Sequence, residues 1–520
     1  MVHTKDKFSL SCLISVIFVL FIGMLGILSV FLHCDTSIYD FYHTKTIVTH
    51  TPLLYVGLVI VEIGIIIFLC MFLEQRFSDR ERAKAARIIV LVCGGILFLE
   101  GIVWIFFNDG MPINDQIYVY WEAQKIAGVS KEPFDTDYFA LFHRNRGITL
   151  FVALAIKIFG NHLYSFPLFN LAAVLVIYFS ICRTTEFAFQ NNIVTVITAL
   201  FLMMFYPLIV YESFIYGTLL SAAGASFGLY AVTALCETGK LRYGIYMIFA
   251  FPFGILMHQS AAIGLIAAIL YLLIKSKRET LLRNLLIIAL TVSMVFAFTK
   301  IVDATFTHIT GTDSTASAVP AICTIYMGLS STAEGGGPGS QDGSYAQIFM
   351  DNNRDAAAAS REAVQSIGKV MKEYLSGERS LTFFLEKVEY QWLDPSFGAR
   401  KVINLNNPDA WDEPNSDLFI AFYHSSLRSY IFKIAISFML LIYAGALIAG
   451  IKSICNSRKY PNVMLLQLYV IGGGAFQMLW ESLSRYCFGY FLWIIPTAAF
   501  GVYSLYCFLK GWRVANGEKS

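Results

Sequence analysis

The chain has 520 residues, of which 57% are hydrophobic and only 14% are charged, and its mean hydropathy is +0.62. Soluble domains carry roughly 25% charged residues, so this composition excludes a soluble protein and predicts a polytopic membrane protein. The net charge of +2 indicates no particular partner and no nucleic acid, because in membrane proteins the placement of charge matters more than its sum.

Apolar runs that approach the length of a membrane span recur along the chain. A spanning helix needs about 20 apolar residues. Twelve segments fit this description, namely Phe8–Leu32, Leu53–Leu73, Ile88–Phe107, Leu163–Cys182, Ile193–Val210, Gly217–Cys236, Tyr243–Met257, Ala261–Ile274, Asn284–Phe298, Tyr430–Gly450, Val463–Leu479 and Phe488–Leu509. We therefore predict an all-α polytopic membrane protein with about twelve transmembrane helices.

One further apolar run, Gly147–Phe159, is too short to span. Its thirteen residues rise only about 20 Å as a helix, and Lys157 lies inside it, so we predict a re-entrant or juxtamembrane helix. With this run excluded, basic clusters such as Arg76–Arg87 and Lys275–Arg283 fall on one side of the membrane, as the positive-inside rule requires. We expect a multi-pass protein of the cell membrane with both termini in the cytoplasm.

This topology divides the chain into four parts. They are residues 1–87, with two N-terminal helices and a basic inner loop; residues 88–300, a core transmembrane module with a polar outer loop at 108–147; residues 301–428, a long outer segment; and residues 429–520, the C-terminal helices and cytoplasmic tail. Within the long segment, apolar residues recur at helical spacing in Asn353–Ser376, and Gly377 is placed to end that helix. We expect this helix to lie in a cap over the outer face.

The polar outer loop contains the first candidate for chemistry. Asp115 follows the run Ile88–Phe107, so we expect it at the membrane surface where that helix ends. A carboxylate there can act as a general base on a membrane-borne substrate, or it can be part of a polar helix end.

Other polar residues of this loop can each be interpreted in two ways. Asp135 and Asp137 form a DxD pattern of the kind that holds a divalent metal against a nucleotide sugar, but so short a pattern also arises by chance. The sequence therefore requires no cofactor and leaves a divalent metal possible. Arg144 and Arg146 precede the short helix and can bind a phosphate or extend to the membrane interface.

Two more candidates lie at predicted outer turns. His258 separates two apolar runs, where it can donate to a lipid phosphate or serve a structural role. The turn Trp480–Tyr486 contains Glu481 and Arg485. Arg485 can bind phosphate, or the two side chains can simply pair with each other.

Taken in order, several motifs resemble those of the GT-C integral-membrane glycosyltransferases, a group that includes protein mannosyltransferases and bacterial enzymes that use polyprenyl-phosphate sugars. The motifs are Asn114-Asp115-Gln116 with Tyr118, Phe142-His143-Arg144-Asn145-Arg146-Gly147, Phe214-Ile215-Tyr216-Gly217-Thr218, and the turn Trp480–Tyr486. The likeness covers Ile88 to about Pro496. The chain departs from the family where His143 replaces a proline and where His258 stands in place of a frequent lysine.

The resemblance implies an enzyme of cell-envelope glycan synthesis with an extracytoplasmic active site. Its donor would be a polyprenyl-phosphate sugar, its acceptor a glycan, a glycolipid or a protein, and its reaction inverting. The roles implied are a catalytic base for Asp115, donor-phosphate binding for Arg485, His258 and Arg144, and substrate binding for Glu481, Asn145, Tyr216 and Tyr118. Two alternatives are a transporter or flippase of lipid-linked saccharides, which needs a polar path open to both sides, and a scaffold protein of an envelope complex.

Overall fold

A computed structural model of the chain describes residues 10–38, 44–108, 110, 112–311, 318–332, 337–399, 426–455 and 462–515. The N-terminal part consists of α1 (Leu10–Phe31), β1 (Leu32–Ile38), β2 (Thr44–His50), α2 (Leu53–Arg76) and α3 (Asp79–Phe107). The core consists of α4 (Asp115–Ala127), α5 (Thr136–Leu141), α6 (Arg146–Phe159), α7 (Pro167–Phe189), α8 (Asn192–Met204), α9 (Pro207–Val210), α10 (Thr218–Thr238), α11 (Leu241–Met257), α12 (Ala261–Lys275) and α13 (Arg278–Thr310).

Four further helices, which we call the cap, and three C-terminal helices complete the described chain. The cap helices are α14 (Ala321–Ser330), α15 (Ser344–Asp351), α16 (Ala356–Ser376) and α17 (Thr382–Trp392). The C-terminal helices are α18 (Ser426–Cys455), α19 (Val463–Leu479) and α20 (Phe488–Ala515). Short 3-10 turns at His143–Asn145, Tyr211–Ser213 and Ser484–Tyr486 lie between helices.

The predicted class, an all-α polytopic membrane protein, is confirmed. Within the described ranges, eight helices are long and apolar enough to cross a membrane. Residues Asn192–Ser213 form a ninth candidate, bent by 52° where Pro207 begins a new helix. All twelve predicted segments contain helix, but α11, α12 and α19 have only 17, 15 and 17 residues, fewer than the roughly 20 of a typical span.

The short helix predicted over Gly147–Phe159 is also present, as α6. One face of α6 is buried against α4, α11 and α13. Helix α13 continues beyond the predicted end at Phe298 to Thr310 and has 33 residues, about 50 Å of helix. Its extra turns place Asp303 beside α6, where the Arg146 guanidinium pairs with it at 3.2 Å.

In the cap, α16 ends before Gly377 as predicted, and this glycine has a φ of 83°, a left-handed conformation that favours glycine. The helix starts at Ala356 because the Asp355 carboxylate accepts hydrogen bonds from the first backbone N–H groups. One element was not predicted: β1 and β2 form an antiparallel hairpin. The backbone N–H of Cys34 in β1 donates to the carbonyl oxygen of Leu393 at 2.8 Å, which joins the N-terminal part to the end of α17.

Two glycines let three elements meet at the C-terminal end of α11. A Cβ added at Gly147 would lie 2.6 Å from the carbonyl oxygen of Leu256. A Cβ added at Gly217 would overlap the carbonyl oxygen of Met257. Because His258 follows directly, these close contacts determine where its side chain lies.

We predict that Gly217→Ala destabilises the protein by about 1–3 kcal/mol, because the added methyl group forces the start of α10 away from α11. Thermal unfolding of the purified protein in detergent measures this. Gly95→Ala in α3 is the matched control, since an added Cβ there meets nothing within 4 Å, and helix propensity favours alanine by roughly 0.5–1 kcal/mol. Equal unfolding temperatures for the two variants would contradict the role of Gly217.

Candidate active site

A cavity of about 600 Å³ lies among the ends of the core and C-terminal helices. Helices α10, α12 and α20 begin beside it, and α11 and α19 end beside it. Successive helices of the bundle run in opposite directions, so these ends share one face of the bundle. The polar side chains that line the cavity are Asp115, Arg144, Asn145, Tyr216, His258, Gln259, Gln341, Tyr345, Glu481, Arg485 and Tyr486.

The same cavity extends between helices as an apolar arm. Ile263 and Ile266 of α12 and Val295 and Phe296 of α13 form this arm. Ile266 and Phe296 are 53% and 68% exposed. Because both belong to apolar helices of the membrane bundle, their exposed side chains face lipid. The cavity therefore joins a polar chamber to a surface that faces lipid.

Asp115 lines the chamber from the first turn of α4. The preceding helix, α3, ends at Phe107 as predicted, and Asp115 begins a new helix that was not predicted. Its neighbour Gln116 is buried, and the Gln116 side-chain oxygen accepts a hydrogen bond from the backbone N–H of Ile215 at 2.9 Å. This bond joins the start of α4 to the loop before α10, so the half-buried Asp115 side chain has a defined position.

Arg485 and Glu481 are connected through Tyr486. The Arg485 guanidinium donates to the Tyr486 hydroxyl at 3.3 Å, and that hydroxyl donates to a Glu481 carboxylate oxygen at 3.1 Å. Burial raises the pKa of the Glu481 carboxyl, and the neighbouring Arg485 opposes that rise. Glu481 is thus connected to Arg485 through the hydroxyl of a tyrosine.

His258 lies between two aromatic rings. Its ring centroid is 5.9 Å from that of Tyr216 and 6.2 Å from that of Tyr486. The backbone N–H of Ser260 donates to His258 Nδ1 at 3.3 Å, so in the neutral ring the proton lies on Nε2. Burial and the cations Arg144 and Arg485 lower the pKa of His258 to about 3. His258 is therefore a neutral donor at physiological pH.

Asn145 is fixed in the chamber wall by two tyrosines. The Tyr216 hydroxyl donates to the Asn145 side-chain oxygen at 2.8 Å, and the Asn145 amide donates to the Tyr138 hydroxyl at 2.6 Å. Tyr118 stacks on Tyr138 with 4.4 Å between ring centroids, but it is not among the residues that line the cavity. Tyr118 therefore supports the wall from behind, whereas Arg144 lines the chamber directly.

The DxD residues lie away from the chamber. Asp135 caps α5 by accepting hydrogen bonds from the backbone N–H groups of Asp137 and Tyr138. Asp137 is exposed and lies 3.4 Å from the guanidinium of Arg354. Among the residues that the structure describes, no group of three or more histidine, cysteine, aspartate or glutamate side chains could hold a metal. The local geometry accounts for Asp135 as a helix cap.

The sequence did not single out several chamber residues. Gln341 lies in the loop that precedes α15, and Gln259 lies in the turn between α11 and α12. Tyr486 stood in a recognised motif, yet its role depends on its contacts with both Glu481 and Arg485. Nothing in the local pattern around Gln341 distinguishes it from a residue of a solvent-exposed loop.

A comparison with known families matches one part of the chain. Residues 147–302 fit the family described as dolichyl-phosphate-mannose-protein mannosyltransferase, which is part of the GT-C superfamily. No curated protein matches the chain. The match extends from α6 into α13, so it contains Tyr216 and His258 and excludes Asp115 and Arg485. It confirms the resemblance over that segment.

We predict that His258 stays neutral, with its proton on Nε2, from about pH 5 to pH 8. The lowered pKa of about 3 leaves the ring deprotonated above that value, because charging it beside two arginines in a buried site is unfavourable. Nitrogen-15 spectra of histidine-labelled protein measure this, with His258→Gln used to assign the resonance. An imidazolium signal from His258 at pH 6 would show the prediction to be wrong.

Proposed function

We propose that this multi-pass membrane protein is a glycosyltransferase, which moves a sugar from a polyprenyl-phosphate donor to an acceptor hydroxyl in this cavity. The observation that supports the proposal most directly is one cavity that joins Asp115, Arg144, Arg485 and His258 to an apolar arm. A polar chamber with a lipid-facing extension suits a substrate with a charged head and a hydrocarbon chain. The family match of residues 147–302 also supports the transferase assignment.

The donor lipid would lie in the arm between α12 and α13. Hydrocarbon chains gain little by moving from lipid to an apolar groove, so the arm serves to guide the chain. Phe296 is 68% exposed at the edge of the arm, so a lipid can approach from the side. The phosphate then reaches the chamber while the prenyl chain stays among apolar groups.

The donor phosphate would be held by Arg485 and Arg144 with His258 as a neutral partner. Negative charge grows on this phosphate as the bond to the sugar breaks, and fixed cations in a poorly solvated site stabilise such charge strongly. Arg485 is preoriented by the chain of hydrogen bonds through Tyr486 to Glu481. The Nε2–H of His258 supplies a hydrogen bond without adding a third charge.

Asp115 would act as the base. It accepts the proton of the acceptor hydroxyl, whose oxygen attacks the anomeric carbon of the sugar. The bond from that carbon to the phosphate oxygen breaks, and the phosphate leaves with the electron pair, so one displacement inverts the configuration. Asp115 comes from α4 and Arg485 from the turn before α20, so base and phosphate ligand belong to different parts of the fold. Asn145 and Tyr216 would contact the sugar from the wall.

The cavity would open outside the cytoplasm. The turns at the opposite end of the bundle carry Lys240, Arg242, Lys277 and Arg278, and positive charge marks the cytoplasmic side. The acceptor is then a glycan, glycolipid or protein of the cell envelope.

We predict that Asp115→Asn lowers sugar transfer at least about 10²-fold, because a carboxamide cannot take the hydroxyl proton. The measurement is transfer of radiolabelled sugar from a polyprenyl-phosphate donor in membranes that contain each variant at equal abundance. Asp137→Asn is the matched control, since this exposed aspartate lies outside the cavity. Full transfer by Asp115→Asn would remove Asp115 from the mechanism.

We predict that Ile263→Trp raises the KM for a long-chain donor roughly tenfold, equivalent to about 1.4 kcal/mol, because the indole fills the apolar arm. Leu270→Trp places the same ring on the same helix at a side chain that is 44% exposed and does not line the cavity. Donor titration of both variants provides the comparison. Equal KM values would place the lipid elsewhere.

A further inference from the structure

A buried lysine lies behind the chamber wall. Lys387 of α17 is 0% exposed, and its ammonium donates to the carbonyl oxygens of Gly328 at 2.5 Å and Trp480 at 2.6 Å. Both partners are backbone carbonyls. Burying an ammonium is costly, and an apolar side chain would pack α17 at lower cost. We therefore expect this buried lysine to do more than pack the cap onto the bundle.

The carbonyl of Trp480 connects Lys387 to the chamber. Trp480 directly follows α19 as its C-terminal cap, where carbonyl groups lack helical partners and a cation is favourable. Its side chain lines the cavity, and the turn that follows it contains Glu481 and Arg485. Lys387 thus fixes the point at which this turn leaves the helix.

A second buried charge holds the other end of the same turn. Asp394 is 1% exposed and accepts a hydrogen bond from the Ser484 hydroxyl at 2.8 Å. Backbone N–H groups of Ser396 and Gly398 also donate to its carboxylate. Ser484 directly precedes Arg485. The segment 387–398 therefore holds the turn at both ends: Lys387 binds the carbonyl of Trp480, and Asp394 binds the hydroxyl of Ser484.

We propose that Lys387 is a positioning residue for the donor phosphate, which acts through the Trp480–Arg485 turn with Asp394 as the second anchor. The inference rests on the proposed function, because it assumes that Arg485 binds this phosphate. Lys387 itself does not line the cavity and touches no substrate. Its contribution is the placement of the Arg485 guanidinium.

If Lys387 acts through its charge, phosphate binding should depend on the protonation of Lys387. A lysine that only packs the cap would give no such pH dependence. Burial lowers the pKa of Lys387 to about 7, while Glu481 and Cys487 raise it. Glu481 lies in the turn and Cys487 follows it, whereas α14 and Gly339 face Lys387 with backbone atoms. Below this pKa the hydrogen bonds to the carbonyls are charge-assisted and strong. They weaken as the pH rises through about 7.

The test measures binding of polyprenyl phosphate to the full-length protein in lipid nanodiscs, because this probe needs no acceptor. Lys387→Met removes the donor group while keeping a long side chain. Lys369→Met is the matched control, because Lys369 is an exposed lysine of the cap helix α16. We expect Lys387→Met to raise the Kd about tenfold at pH 6 and Lys369→Met to leave it unchanged.

The ratio of the Kd values of Lys387→Met and the unaltered protein should fall severalfold between pH 6 and pH 9, since Lys387 loses its charge over this range. The titration of the phosphate itself affects both proteins and cancels in the ratio. A ratio that stays constant with pH, or a Lys387→Met affinity equal to that of Lys369→Met, would overturn the proposal.

Two further variants keep the result decisive. If Lys387→Met does not fold, Ser484→Ala removes the contact with Asp394 at the other end of the turn and should weaken binding severalfold; unaltered binding would overturn the proposal. Arg485→Ala tests the proposed function separately. If Arg485→Ala binds polyprenyl phosphate normally, the phosphate site lies elsewhere and the proposed function is wrong. If Arg485→Ala loses binding while Lys387→Met binds normally, only the positioning role of Lys387 is refuted.

Discussion

The structure depends on one constraint of the membrane: charged and polar groups at helix ends must be paired with each other or face a cavity. Helices α11, α12 and α19 have 17, 15 and 17 residues, fewer than the roughly 20 of a typical span. Helices α11 and α19 end beside the polar chamber, and α12 begins beside it. The charges of Arg144, Arg485 and Asp115 face this chamber, where substrate or water can meet them.

Close backbone contacts make this arrangement rigid. Gly147 and Gly217 bring α6 and the start of α10 against the last turn of α11, which fixes His258 between two tyrosine rings. Lys387 and Asp394 hold the turn that contains Arg485 and Tyr486. The cap is thus part of the site and not merely a cover. The hairpin β1–β2 reaches the same segment through the carbonyl of Leu393, so the N-terminal part also contacts the structure that supports the chamber.

Much of the site could be predicted because its residues interrupt apolar runs. Asp115, His258 and Arg485 stand out in a sequence with 14% charged residues. Polar and ionisable side chains near a membrane are energetically costly, so they commonly have a function. The same logic gave the correct end of α3 at Phe107 but did not show that Asp115 begins a new helix, α4, because a short polar helix leaves no apolar run in the sequence. Lys387 was not recognised, since it lies in a polar stretch of the cap where a lysine is expected to be solvated. Only its complete burial against two carbonyls distinguishes it.

The sequence by itself determined the membrane class, the position of most helices, the short helix α6 and the end of α16 at Gly377. These features follow from hydrophobic period and local backbone preference, which involve residues near one another in the chain. The tertiary structure alone decided that Tyr486 connects Arg485 to Glu481, that His258 lies between two tyrosine rings, that Tyr118 lies behind the wall, and that the cap contributes to the chamber. Each of these depends on burial and on contacts between residues far apart in the chain, and no local pattern contains that information.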